Sequence, residues 1–241
     1  MLGSIIHNKS WCWTAVGKHP AASDYINLDG GSPLLDALAD WMAKGYDEIN
    51  RGQPTGSGPY SWRFWLRGAK KGIMICGVVR DSSDRIGRPF PLLIMGEGGL
   101  KNWEKQWERL PGSLIKTWQR MESMAAQRFD DLNAMSEALR HLISPDGPEP
   151  TDRSETLPSE LQGDVDACKL QLQQDGRALV ALRTPQDADA LDTASQWHLL
   201  LKSCFADIPR AVFWGGTPAQ TYLAIFANAL NTHDFVKLWT V

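Results

Sequence analysis

Two short stretches of this chain gather the side chains that most often do chemistry. The first is Gly17-Lys18-His19-Pro20, followed by Ser23-Asp24-Tyr25-Ile26; the second is Asp81-Ser82-Ser83-Asp84-Arg85-Ile86-Gly87-Arg88-Pro89-Phe90-Pro91-Leu92. Each packs charges of both signs beside an apolar run. Carboxylates, hydroxyls and guanidinium groups at that density are a candidate site for a hydrolase or a phosphatase accessory, with Asp24, Ser83, Asp84 and Arg88 as the charged set. The same residues can instead hold two loops together. Arg85 and Arg88 carry planar donor forks that suit Asp24 or Asp84. Gly87 supplies a backbone conformation closed to other residues, and Pro89 and Pro91 stiffen the approach to the next strand. The holding role is favoured for Asp24, Asp84 and Arg88, while Lys18, Ser82 and Ser83 suit either role.

Other chemistries find no foothold. Gly52–Gly58 is glycine-rich but lacks the lysine and the strand–helix setting of a phosphate loop, so it reads as a flexible turn. No Gly-x-Ser-x-Gly elbow follows a strand. His7, His19, His141, His198 and His233 are scattered, with no His-x-x-x-His or His-Glu-x-x-His pair, so no metal is expected. His198, on an apolar helix face, reads as a satisfied core side chain. No cofactor is expected.

The chain has 241 residues, 43% hydrophobic and 22% charged, which suits a globular protein with a substantial core. The formal net charge of −3 carries no sign of the basic face of a nucleic-acid binder. Met1–Lys9 holds no apolar stretch of signal-peptide length, and the longest apolar runs, near Ile73–Val79 and Phe90–Met95, are too short to cross a bilayer. Cys12, Cys76, Cys168 and Cys204 lie far apart and read as buried thiols, so the expected compartment is the cytoplasm. Tryptophan occurs 11 times, enough to fill a core and still supply a binding surface.

The elements that must position the two clusters follow from periodicity. Ser10–Val16 is a strand candidate, and Ser32 caps a helix from Pro33 to about Asn50 whose apolar face is Leu35, Leu38, Met42, Tyr46 and Ile49. Ser61–Arg67 and Ile73–Val79 form a hairpin through Gly68–Gly72, and Phe90–Met95 reads as a strand buried on both faces. Leu100, Trp103, Trp107 and Leu110 form a helical stripe that Pro111-Gly112 should interrupt. Leu114, Trp118 and Met121 form a second stripe, and Leu132, Met135, Leu139 and Leu142 a third. The Trp-bearing stripes read as core. Ser144–Pro158, with four prolines in fifteen residues, is an internal loop or linker. Beyond it come a strand at Arg177–Leu182, a helix opening at Thr184-Pro185-Gln186-Asp187 with Leu191, Ala194, His198 and Leu201 inward, and a strand at Ala211–Trp214. Tyr222–Phe226 is strand or helix. The expectation is one α/β domain over residues 1–241, a single mixed, largely antiparallel sheet flanked by helices.

In the two clusters the chain resembles the TagF (ImpM) family of type VI secretion accessory proteins. Gly17-Lys18-His19-Pro20 with Asp24-Tyr25-Ile26 is similar to the family's Gly-Lys-x-Pro and Asp-Phe-hydrophobic pattern. Ser32-Pro33 with Trp41-Met42 and Gly45-Tyr46 resembles the helix that follows. Asp81–Leu92 resembles its Pro-Ser-x-Asp-x-x-Gly-Arg-x-Phe-Pro-Leu block, departing at Asp81, where proline is common. Ala211–Gly216 is similar to a late aromatic strand. The resemblance implies a non-catalytic cytoplasmic regulator, a post-translational repressor of type VI secretion that engages a forkhead-associated scaffold protein. On that reading Gly17, Pro20, Asp24, Asp84, Gly87, Arg88 and Pro91 form the structural motif, and Lys18, Ser83 and Arg85 are candidates to meet the protein partner. No nucleic acid and no membrane insertion are expected, and the oligomeric state stays open. The alternative remains an enzyme using Asp24, Ser83, Asp84 and Arg88; a small-ligand module ranks third, for want of a phosphate-binding fingerprint.

Overall fold

Alternation builds the centre of the sheet. In Ser61–Arg67 (β3), Trp62, Phe64 and Leu66 turn to one side while Arg63 and Trp65 turn to the other. β3 pairs with Ile73–Arg80 (β4), as the hairpin reading expects, from Ser61 opposite Arg80 to Arg67 opposite Met74. The computed structural model describes residues 10–52, 59–148, 162–182, 190–205 and 207–241. Within them, eight strands make one open sheet: Cys12–Gly17 (β1), Ile26–Leu28 (β2), β3, β4, Leu92–Gly99 (β5), Arg177–Ala181 (β6), Ala211–Gly216 (β7) and Thr221–Phe226 (β8). Their order is β2-β1-β5-β4-β3-β7-β8-β6, and every pairing is antiparallel. The last three strands, from beyond the proline-rich stretch, extend the sheet begun by the first five.

Helices cover both faces. On one lie Pro33–Gly52 (α1) and Thr232–Leu238 (α6), packed on Phe64, Val79, Leu93, Met95 and Phe213. The other carries Leu110–Ala126 (α2), Leu132–Arg140 (α3), Gln162–Asp175 (α4) and Ala190–Cys204 (α5), packed on Trp13, Trp65, Cys76, Ile94, Val212 and Ile225. Two-sided cover explains why β4 and β5 are buried along almost their whole length. β5 runs on through Gly96 and Gly98 because the stacked rings of Trp13 and Trp11, with centroids 5.0 Å apart, occupy the space side chains there would need.

Three local expectations are corrected. Pro111 starts α2 instead of breaking a helix, since a proline in the first turn gives up no hydrogen bond. The stripe before it is not one helix: Trp103 and Trp107 sit on two short 3-10 turns, each buried. Cys12 is exposed at the start of β1, whereas Cys76 and Cys168 are buried as expected. Tyr222–Phe226 resolves as strand β8. The cap at Thr184–Asp187, most of Ser144–Pro158, most of Gly52–Gly58, His7, and the Leu191 and Cys204 side chains lie outside the described residues.

His198 is a core side chain. Its Nδ1–H donates to the Ala194 carbonyl (2.8 Å), and its Nε2 accepts from the Trp65 indole N–H (3.1 Å). Burial, partly offset by the Ala194 bond, lowers its pKa to about 4, so the ring is neutral at pH 7.

Candidate functional site

Register brings the two charged stretches together. β1 and β5 are neighbours with Gly17 opposite Leu92, so the loop leaving β1 and the loop entering β5 emerge at one end of the sheet. Gly17 is required at that junction. Its φ is +124°, and a Cβ there would lie 2.0 Å from the Pro91 carbonyl oxygen. Pro20 sits in a turn closed by the Ala22 N–H to the His19 carbonyl (2.9 Å), where its fixed φ suits the second position.

Asp84 is the hub of the second loop. Its Oδ1 accepts from the Arg88 backbone N–H (2.9 Å) and from that of Ile86 (3.2 Å). Its Oδ2 meets the Arg88 Nε at 2.6 Å and the Lys18 ammonium at 3.2 Å. The Gly87 N–H reaches the Asp84 carbonyl at 2.9 Å, and its φ of +84° turns the chain that follows back so that the Arg88 N–H meets Asp84. Burial alone would raise the Asp84 pKa. The Arg88 backbone and guanidinium and the Lys18 ammonium outweigh it and hold the carboxyl at about 2.

The arginines tie this loop to the first. Arg88 Nη2 donates to the Ser23 carbonyl at 2.6 Å, and Arg85 Nη2 to the Ala21 carbonyl at 2.5 Å. The Arg85 N–H adds a bond to the Ala22 carbonyl (2.7 Å). Asp24 contributes less than its charge suggests. It is 73% exposed, 3.9 Å from Arg88, and it accepts from the Tyr25 N–H. Lys18 is 5% exposed, its ammonium lying 4.9 Å from the centroid of the Tyr25 ring. Ser83 is half-buried on an isolated bridge to Pro89. Among the described residues, no base hydrogen-bonds its hydroxyl. Pro91 is buried at the start of β5.

Several contributors could not be read from residue types. The carbonyls of Ala21, Ala22 and Ser23 are what the arginines hold, and any residue could supply them. Ile86 and Tyr25 stand 70% and 59% exposed on the two loops, with Tyr25 resting edge-on against Phe90. His19 is buried, its Nδ1 accepting from the Ala21 N–H, and burial lowers its pKa against a smaller opposing effect from the Gln127 backbone. Among the described residues, no three His, Cys, Asp or Glu side chains could hold a metal ion, and no helix is long and apolar enough to cross a membrane.

Both loops fall inside a stretch, residues 14–144, that matches the TagF N-terminal domain, described as type VI secretion system-associated. The chain belongs to the TagF family. As a family member it is a type VI secretion-associated protein. Its fold is shared with the crystal structure of PA0076 from Pseudomonas aeruginosa PAO1. That alignment covers 95% of this chain and 94% of the other at 20% identity, with a TM-score of 0.53. The likeness therefore extends past residue 144, through the strands that complete the sheet. No curated protein matches the chain.

Proposed function

We propose that this TagF-family chain is a non-catalytic cytoplasmic regulator that represses type VI secretion after translation by binding a protein of the apparatus, a forkhead-associated scaffold component. The state of Asp84 carries the reading. A general base must be able to take a proton near working pH, and a carboxyl held at about 2 between two cations is poorly suited to that. Both of its oxygens are committed to holding the loops.

A pair of loops fastened in this way can present a surface that pays little ordering entropy on binding. Arg85 and Ser83 lie on that surface, with Ile86 and Tyr25 as apolar points beside the guanidinium groups, a combination enriched in protein interfaces. Lys18 supports it from behind by pairing with Asp84. Gly17, Pro20, Asp24, Asp84, Gly87, Arg88 and Pro91 set its shape. The chain acts as one domain, because the stretches on either side of residues 149–161 contribute strands to one sheet. Repression and the scaffold come from the family resemblance.

The test is calorimetric titration of the purified chain with the forkhead-associated scaffold of the same secretion system. It is paired with a secretion assay after deletion of the gene. Saturable binding that Arg85→Glu and Ile86→Asp each weaken, with secretion rising on deletion, is the expected result. No binding together with unchanged secretion would refute the proposal.

A further inference from the structure

At the other end of β4 from its β3 hairpin, a cleft of about 350 Å³ opens at the strand ends; its lining residue Tyr60 is bonded to Asp81, where the second charged stretch begins. Its charged walls are Arg63 of β3, Arg80 of β4 and Glu122 of α2. Arg63 grips Glu122 side-on, Nε to Oε1 at 2.7 Å and Nη2 to Oε2 at 2.8 Å. That contact uses both carboxylate oxygens and leaves the Arg63 Nη1 hydrogens over. The Arg63 guanidinium is also fixed from beneath, 4.9 Å from the centre of the Trp214 ring. Arg80 is half-buried, and among the described residues no carboxylate pairs with it. Trp214 is buried, and among the described residues its indole N–H has no hydrogen-bond partner.

The charged lining of the cleft thus carries two guanidinium groups against the single carboxylate of Glu122. One wall is apolar, made by Pro59, Pro218 and the Trp214 ring, and Gly215 and Gly216 line the cleft without side chains. Its volume matches the lower end of small-molecule sites. We propose that this cleft binds a small ligand carrying one oxyanion, a carboxylate or a phosphate, on a compact apolar body. Arg80 supplies a positive charge, Arg63 is held in place by Glu122 to present its remaining donors, and the prolines and Trp214 cover the apolar part. This site does not depend on the regulatory reading.

The experiment uses the full chain, labelled with ¹⁵N, titrated separately with phenylacetate, phenyl phosphate and the neutral isostere phenylacetamide. The readout is the tryptophan indole resonances, with Trp214→Phe identifying the signal of Trp214. At least one of the anions should shift that signal saturably, with a Kd of about 1 mM for a ligand of this size, and the amide should not. The stronger anion tells carboxylate from phosphate chemistry. Arg80→Gln should weaken binding about tenfold or more, and Arg80→Lys should restore part of it, with the other indole resonances unmoved. Equal binding of the amide, unchanged affinity in Arg80→Gln, or no saturable shift with either anion at about ten times that concentration would overturn the proposal.

Discussion

Lowering the pH should destabilise this protein through the buried His198 imidazole, and the size of that contribution can be worked out. His198 titrates at about 4 in the folded chain against 6.5 when unperturbed. Below 6.5 the unfolded chain takes up a proton that the folded chain refuses, so stability is complete above 6.5 and drains away as pH falls toward 4. At about 1.4 kcal/mol for each tenfold, that gap amounts to about 3 kcal/mol, a large share of the roughly 5–15 kcal/mol that holds a domain folded. The physical cause is the doubly bonded ring: one nitrogen donates to Ala194 and the other accepts from Trp65, so a second proton would face the indole N–H. The assay is urea unfolding from about pH 7 to about pH 4.5, comparing wild type with His198→Gln. The carboxamide oxygen can still accept from Trp65 but does not titrate. The substitution should cost about 1–2 kcal/mol at neutral pH, and a relative gain of about 3 kcal/mol as the pH is lowered toward 4 should leave the variant the more stable of the two by about 1–2 kcal/mol. His19, whose pKa is also lowered, contributes equally to both proteins and cancels. Parallel curves across that range would refute the reasoning.

Asp84→Asn should lower the melting temperature at pH 7 by stripping Lys18 and Arg88 of their shared charge, as measured by circular dichroism. Because the Asp84 pKa is depressed, its contribution is present above 3.8 and is lost as pH falls toward about 2, so the gap to wild type should close across that window. Gly17→Ala should cost about 1–3 kcal/mol or more, since it adds a Cβ against the Pro91 carbonyl at a φ that side chains avoid. Far-ultraviolet circular dichroism and tryptophan fluorescence should report one coincident unfolding transition, because β7 is hydrogen-bonded along β3; two separated transitions would refute the one-domain proposal.

Local chemistry can be read along the chain. Ser32 followed by Pro33 opens α1, and its N–H acceptor is seen in the Leu35 bond to Ser32 Oγ at 3.4 Å. Alternation in Ser61–Arg67 and the glycine-bounded loop after it are enough to place β3 and β4, because a hairpin is closed by neighbours in the chain. The charged cluster was legible for the same reason: Asp84, Gly87 and Arg88 satisfy one another within five residues.

Tertiary structure decided the rest. β8 lies between β7 and β6 under helices on both faces, and a run buried on every side has no period to read. α4 hides Val165, Cys168 and Leu172 but leaves Leu170 exposed, which blurs its stripe. The carbonyls gripped by Arg85 and Arg88 carry no residue signature. Only the pairing of β1 with β5 brings those carbonyls to the guanidinium groups, and a sheet's register depends on contacts between strands far apart in the chain.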